Sequence, residues 1–246
     1  MVDYSGDLVA CGEYNNEDNK DCYSFNGEEW SPLPPLHEDH HSRAYWTRSF
    51  NMETGLWLGG NDGSDRMVQE LFTPEGAWTT LPIDSPYGNN YYPLPCIIKM
   101  NDTHLFFSGG YHSGDLKETW VLDIRSMAWT PSAPMLTPRS GHGCTLTADG
   151  EVLVAGGYDG GGSSVEVFNP SLGWRPGVSL PSEIDTFAPV LLRWKDTVLL
   201  LEYPTDLVWE LEDQGWRRMD VTMGAHFYGG SDNAVLVPDT WRAKCP

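Results

Sequence analysis

The groups able to do chemistry in this 246-residue chain are seven His, five Cys and 35 acidic residues against 15 Lys and Arg. The densest cluster is His37-Glu38-Asp39-His40-His41, whose imidazoles and carboxylates suit a divalent transition metal. Crowding along a chain is not a coordination geometry, so a solvated loop is the expected reading and no metal ligand is assigned. A second group, Glu13, Glu17, Asp18, Asp21, Glu28 and Glu29, could draw a basic partner or calcium. It lacks the alternating ligand order of a calcium loop and reads as a solvated charge run. Gly160-Gly161-Gly162 has no Lys-Ser/Thr after it and opens no helix, so it is not a phosphate cradle. There is no Gly-x-Ser-x-Gly nucleophile motif. No catalytic residue and no cofactor is expected. The one sequon, Asn101-Asp102-Thr103, falls in a predicted exposed turn and makes Asn101 a glycosylation candidate.

The bulk properties exclude whole classes of partner. A formal charge of -20 repels a phosphate backbone and an anionic lipid surface, so neither nucleic acid nor membrane is an expected partner. No apolar run approaches the roughly 18 residues of a transmembrane helix. Gly 26 and Pro 18 exceed average usage and point to many turns.

The elements that would position these residues come from an internal repeat. The pairs Cys11-Gly12, Gly59-Gly60, Gly109-Gly110 and Gly156-Gly157 end apolar runs and are spaced by 48, 50 and 47 residues. A second series, Trp30, Trp78, Trp129, Trp174 and Trp216, is spaced by 48, 51, 45 and 42, and the first four lie 17 to 19 residues beyond their pairs. Within a unit a short apolar run such as Cys96-Ile97-Ile98 leads to a polar turn such as Asn101-Asp102. A second run such as Leu105-Phe106-Phe107-Ser108 reaches the glycines, and a Gly-rich loop follows. A third strand carries a bulky residue (Phe25, Phe72, Leu122, Phe168 or Leu211), and the Trp opens a short fourth strand. Four short strands per repeat of about 47 residues are the signature of a propeller blade. Such a sheet cannot bury its faces alone and must stack on its neighbours; each Trp is then a wedge of about 150–250 Å².

The chain resembles the kelch-repeat β-propeller family. The resemblance rests on the glycine pairs, the spaced Trp and the stretch Pro138-Arg139-Ser140-Gly141-His142-Gly143 through Gly156-Gly157-Tyr158, then Val165-Glu166-Val167-Phe168-Asn169-Pro170 and Trp174. It implies an all-β, kelch-type propeller of four-stranded blades over residues 1–246, with repeats at about 1–36, 37–85, 86–136, 137–181 and 182–222 and a partial closing blade at 223–246. The fifth unit departs, with Glu202-Tyr203 in place of the glycines. Strand arithmetic favours a six-bladed ring whose N-terminal portion is absent from this chain; a five-bladed ring closed by the C-terminal strand is the alternative. Met1-Val2-Asp3-Tyr4 has no signal-peptide character.

Cys11 ends a second strand and Cys22 begins the third, and adjacent strands lie about 4.8 Å apart, so these two are the expected disulfide. Cys96 and Cys144, on first strands of neighbouring blades, are expected to be too far apart to bond and to act as small buried hydrophobes. Cys245 has no evident partner; a Cys in an absent N-terminal segment would supply one. The pattern is most like secreted invertebrate kelch-like proteins, which implies an extracellular location, the cytoplasm being the alternative. Arg139 and His142 are expected to make structural hydrogen bonds within the repeat.

Kelch folds mostly act as binding platforms, which implies a non-enzymatic, monomeric scaffold for an unknown protein or glycan. Tyr14, Tyr87, Tyr91, Tyr92, Tyr111 and Tyr158 would be its loop contacts. The family's enzymes, a copper radical oxidase and a sugar mutarotase, set the alternative. Tyr91, Tyr92, Tyr111, His112, His226 and Tyr228 have the residue types an oxidase needs, but nothing in their spacing forces convergence. An extracellular structural protein is the third reading.

Overall fold

A computed structural model describes residues 2–11, 20–38, 48–61, 67–82, 86, 95–158, 162–182, 184, 189–202, 207–222, 227–228 and 235–236. Its strands form a five-bladed β-propeller of antiparallel four-stranded sheets, each a meander in chain order. Blade 1 is β1 (Val2–Tyr4), β2 (Asp7–Cys11), β3 (Cys22–Phe25) and β4 (Trp30–Leu33). Blade 2 is β5 (Arg48–Met52), β6 (Gly55–Asn61), β7 (Met67–Phe72) and β8 (Trp78–Thr80). Blade 3 is β9 (Cys96–Lys99), β10 (His104–Ser108), β11 (Thr119–Asp123) and β12 (Ala128–Ser132). Blade 4 is β13 (Gly143–Leu146), β14 (Val152–Ala155), β15 (Val165–Asn169) and β16 (Gly173–Pro176). Blade 5 is β17 (Val190–Trp194), β18 (Thr197–Glu202), β19 (Leu207–Glu212) and β20 (Gly215–Thr222). A hairpin of β21 (Phe227–Tyr228) and β22 (Val235–Leu236) stands as a sheet of its own among the described residues.

Five complete blades replace the expected six-bladed ring short of its N-terminal portion. Val2–Tyr4 pairs with Asp7–Val9 as the inner strand of blade 1. A three-residue strand with Asp at its centre carries too little alternation to read as one.

Strand by strand, the side-chain period of two splits blades 2, 3 and 4 between two cores each. In β14, Val152 and Val154 face a core shared with blade 3, and Leu153 and Ala155 face one shared with blade 5. In β10, Phe106 faces blade 4 while Leu105 and Phe107 face blade 2. The continuous apolar runs of the sequence follow directly: a strand buried on both faces has no polar side to alternate with. The bulky third-strand residue sits directly opposite the Trp in every blade: Phe25 on Trp30, Phe72 on Trp78, Leu122 on Trp129, Phe168 on Trp174 and Leu211 on Trp216. In blades 1, 2 and 4 the two ring centroids are 5.1 Å apart. The indole of one blade then reaches back to the blade before it: Trp78 Nε1 donates to Pro34 O at 2.9 Å, Trp174 to Ala133 O at 2.7 Å and Trp216 to Val178 O at 3.0 Å.

Cys11 and Cys22 are directly opposite in the β2–β3 register and form a disulfide with Cα atoms 4.1 Å apart. The expectation for the second pair is overturned: Cys96 and Cys144 are also disulfide-bonded, with Cα atoms 6.0 Å apart. They are not equivalent residues. Cys96 pairs with Ser108, immediately before its glycine pair, whereas Cys144 pairs with Val154, two residues before its own. An offset of one residue reverses the face a side chain takes, so Cys96 points toward blade 4 and Cys144 toward blade 3, into one core. Inner strands of neighbouring blades also lie side by side, β13 touching both β9 and β17. The remaining Cys245 lies outside the described residues.

Alkylation of the native chain without reduction is expected to label Cys245 and spare the other four, with peptide mapping returning Cys11–Cys22 and Cys96–Cys144. Opening the second bridge frees a loop of 48 residues, so Cys96→Ala/Cys144→Ala is expected to lower stability by about 4 kcal/mol in the chain-entropy account, read by denaturant titration against Cys11→Ala/Cys22→Ala.

Candidate interaction face

Antiparallel meanders divide the propeller's turns between two ends. At one end lie the tight turns joining first to second and third to fourth strands. At the other lie the loops joining second to third strands, together with the connections between blades. This loop end is best defined over blades 3 and 4, where it consists of residues 109–118, 133–142 and 156–164, less 159–161.

A buried ion pair frames it. Arg139 is wholly buried, and its guanidinium donates to Gly156 O at 2.8 Å, Ser164 O at 3.0 Å, Ser164 Oγ at 2.7 Å and Glu166 Oε1 at 2.8 Å. Glu166, on the third strand of blade 4, also accepts the backbone N–H groups of Leu136 at 2.7 Å and Thr137 at 3.0 Å. The carboxylate therefore ties the connection leaving blade 3 to the sheet of blade 4. Blade 2 repeats the device: Glu70, wholly buried in β7, accepts the N–H groups of His37 at 2.9 Å and Glu38 at 3.0 Å from the connection leaving blade 1. Sequence reasoning missed both. The available signal was a single charged residue within a strand run that is otherwise uncharged and mostly apolar, in Met67-Val68-Gln69-Glu70-Leu71-Phe72 and Val165-Glu166-Val167-Phe168, where an unpaired charge would be prohibitive.

The backbone at Arg139 and Ser140 holds the two loops. Gly110 N–H donates to Arg139 O at 2.8 Å, Tyr158 N–H to Ser140 O at 2.9 Å and Arg139 N–H to Leu116 O at 2.8 Å, while Ser140 Oγ donates to Asp115. Such close backbone contact explains the glycines here. Gly109 has φ +62° and a Cβ would sit 2.3 Å from Arg139 O; Gly157 has φ +114° and a Cβ would sit 2.9 Å from Ser140 O. His142, beneath the loops, shares a 2.9 Å hydrogen bond between its Nε2 and Ser108 Oγ. Burial, and then the Arg139 charge, push its pKa down to about 3. The imidazole is neutral at physiological pH, and Ser108 is wholly buried.

On this frame Tyr111 and Tyr158, each directly after its glycine pair, stand 40% and 43% exposed. His112, next to Tyr111 in the chain, is also exposed. The arrangement can offer aromatic faces and hydrogen-bonding edges from a rigid backbone.

The other sequence candidates fall in different places. Gly59 and Gly60 lie inside β6, paired with Gln69 and Val68, so this pair does not end its strand as its counterparts do. A Cβ at Gly59 would strike the Trp57 ring. Trp78 and Trp216 are buried, and Trp30, Trp129 and Trp174 are half-buried. In blade 5 the Glu202 that replaces a glycine accepts Trp209 Nε1–H at 3.2 Å. His37 and Glu38 occupy a bend. The letters His37-Glu38-Asp39-His40-His41 also match a His-Glu-x-x-His spacing, which works by placing both imidazoles on one face of a helix; at His37 and Glu38 there is no helix. Asp39, His40 and His41 lie outside the described residues, as do Glu13, Glu17, Asp18, Tyr14, Tyr87, Tyr91, Tyr92, Gly160, Gly161 and His226. Asp21, Glu28 and Glu29 are exposed. Among the described residues no group of three or more His, Cys, Asp or Glu is placed to hold a metal, and no helix is long and apolar enough to cross a membrane.

Replacing Glu166 with Gln is expected to destabilise the chain by about 3–5 kcal/mol, because Arg139 is left as an uncompensated buried charge; Arg139→Met/Glu166→Met is expected to recover part of that loss in denaturant titrations. His142 ties stability to pH. Its folded pKa lies below its ordinary value of 6.5, so unfolding takes up about one proton between the two values, and stability is lost as pH falls through that window. His142→Gln is expected to flatten the fall in Tm between neutral pH and pH about 4 relative to wild type.

No family model matches the chain. It is 29% identical over 133 residues to an F-box/kelch-repeat protein of Arabidopsis thaliana, a match covering 52% of this chain and 45% of the relative. The matched stretch is thus less than half the length of that relative. The solved structure of YjhT superposes with a TM-score of 0.59 at 14% identity, covering 83% of this chain and 70% of that one. The fold is a β-propeller, and the sequence similarity is to a kelch-repeat protein.

Proposed function

We propose that this chain is a non-catalytic interaction scaffold that binds a protein partner through the loop end of the propeller. The observation that carries the reading is the pair Tyr111 and Tyr158, exposed at matching positions of adjacent blades on backbone pinned to Arg139 and Ser140. Aromatic side chains on a rigid frame lose little entropy on binding and are enriched where protein contacts concentrate their energy. Similarity to a kelch-repeat protein supports a scaffold role. The charge of -20 favours a basic partner surface. The two disulfides support an oxidising, extracellular place of work.

The test is affinity capture with the wild-type chain beside Tyr111→Ala/Tyr158→Ala and a turn-end control, Leu172→Ser, at a residue 85% exposed. Partners held by wild type and by the control are expected to weaken at least roughly 30-fold with the double Tyr variant, the effect of a hot spot of about 2 kcal/mol. Equal retention by all three would refute the assignment to the loop end. A parallel glycan array on which only the wild type and the control bind would replace the protein partner with a sugar.

A further inference from the structure

From the geometry of the β9–β10 turn we infer that Asn101 carries an N-linked glycan, placed at the end of the propeller opposite the proposed binding loops. The inference rests on the extracellular reading above. Three observations support it. Asn101 is exposed in the tight turn, so a glycan there displaces no packed side chain. The acceptor conformation is local: Asn101 Oδ1 accepts the N–H of Thr103 at 2.9 Å, the hydroxyl of Thr103 at 3.0 Å and the N–H of His104 at 2.9 Å. All partners lie within three residues, so the turn can form on the nascent chain before any blade docks, and it sets the Thr103 hydroxyl against the Asn101 amide. The intervening carboxylate is occupied, since Lys99 Nζ pairs with Asp102 at 2.7 Å.

The chemistry is a single group transfer. Asn101 Nδ2 forms a bond to C1 of the reducing-end sugar of a lipid-pyrophosphate-linked oligosaccharide. The C1–O bond to the pyrophosphate breaks, the lipid pyrophosphate leaves, and the Nδ2 proton passes to the transferase base. In the finished fold β10, five residues long and so about 17 Å, separates Asn101 from the Tyr111 loop. A glycan on this turn leaves the loop end clear.

The experiment is intact-mass and peptide mapping of the full chain secreted from eukaryotic cells behind a secretion leader, before and after peptide-N-glycosidase. The expected result is a glycan on Asn101, lost in Asn101→Gln and in Thr103→Ala and kept in Thr103→Ser, with Asn101 converted to Asp by the glycosidase. If a variant fails to fold, the wild-type peptide map is sufficient on its own. A bare Asn101 in a chain whose disulfides have formed overturns the proposal, and so does a chain recovered with Cys11, Cys22, Cys96 and Cys144 reduced. The readout needs no partner, so an occupied Asn101 beside failed capture through Tyr111 and Tyr158 would sink the scaffold reading alone.

Discussion

Neighbouring blades of this propeller share their cores. The sheets of blades 2, 3 and 4 each give one face to the blade before and the other to the blade after, as β10 and β14 show most plainly. Everything else depends on keeping those shared faces matched. Burial of apolar area, at about 25 cal/mol per Å², is the driving force, and it is collected only when neighbouring blades dock. The polar links between blades therefore lie at the edges of these cores. The indoles of Trp78, Trp174 and Trp216 each donate to a carbonyl of the preceding blade, and Glu70 and Glu166 hold the connecting segments.

This arrangement separates the buried polar frame from the side chains displayed to solvent. Arg139, Glu166, Ser140 and His142 have functional-looking chemistry, but all are buried and engaged with the protein itself. The side chains of Arg139 and Glu166 hold backbone, and those of Ser140 and His142 bond to Asp115 and Ser108. The residues displayed to solvent, Tyr111 and Tyr158, are carried on that backbone. A loop fixed in this way can change its outward residues without disturbing the strands beneath.

Much of the fold was legible because repetition multiplies a weak signal. One Gly pair or one Trp says little; two series in phase over several units define the unit, its four strands and the positions facing a neighbour. The partner of each Trp across the sheet was readable as a bulky residue five to seven positions upstream. The polar links were harder to read. Glu166 bonds to residues about 30 positions away, in the connection from the previous blade, and no local pattern reports that distance. The Val2–Tyr4 strand was missed because three residues are too few for any period to show. Tyr111 and Tyr158 were readable as loop aromatics but not as two residues raised on one buried arginine.

Composition and spacing by themselves determined the all-β class, the four-stranded unit and the nearness of Cys11 to Cys22, because each depends on local sequence. Tertiary structure alone decided that Cys96 and Cys144 meet. That outcome turns on a one-residue difference in register between two blades, which reverses the face of one side chain and sets the two sulfurs in the same core. Register is a property of paired strands, and it exists only once they have paired.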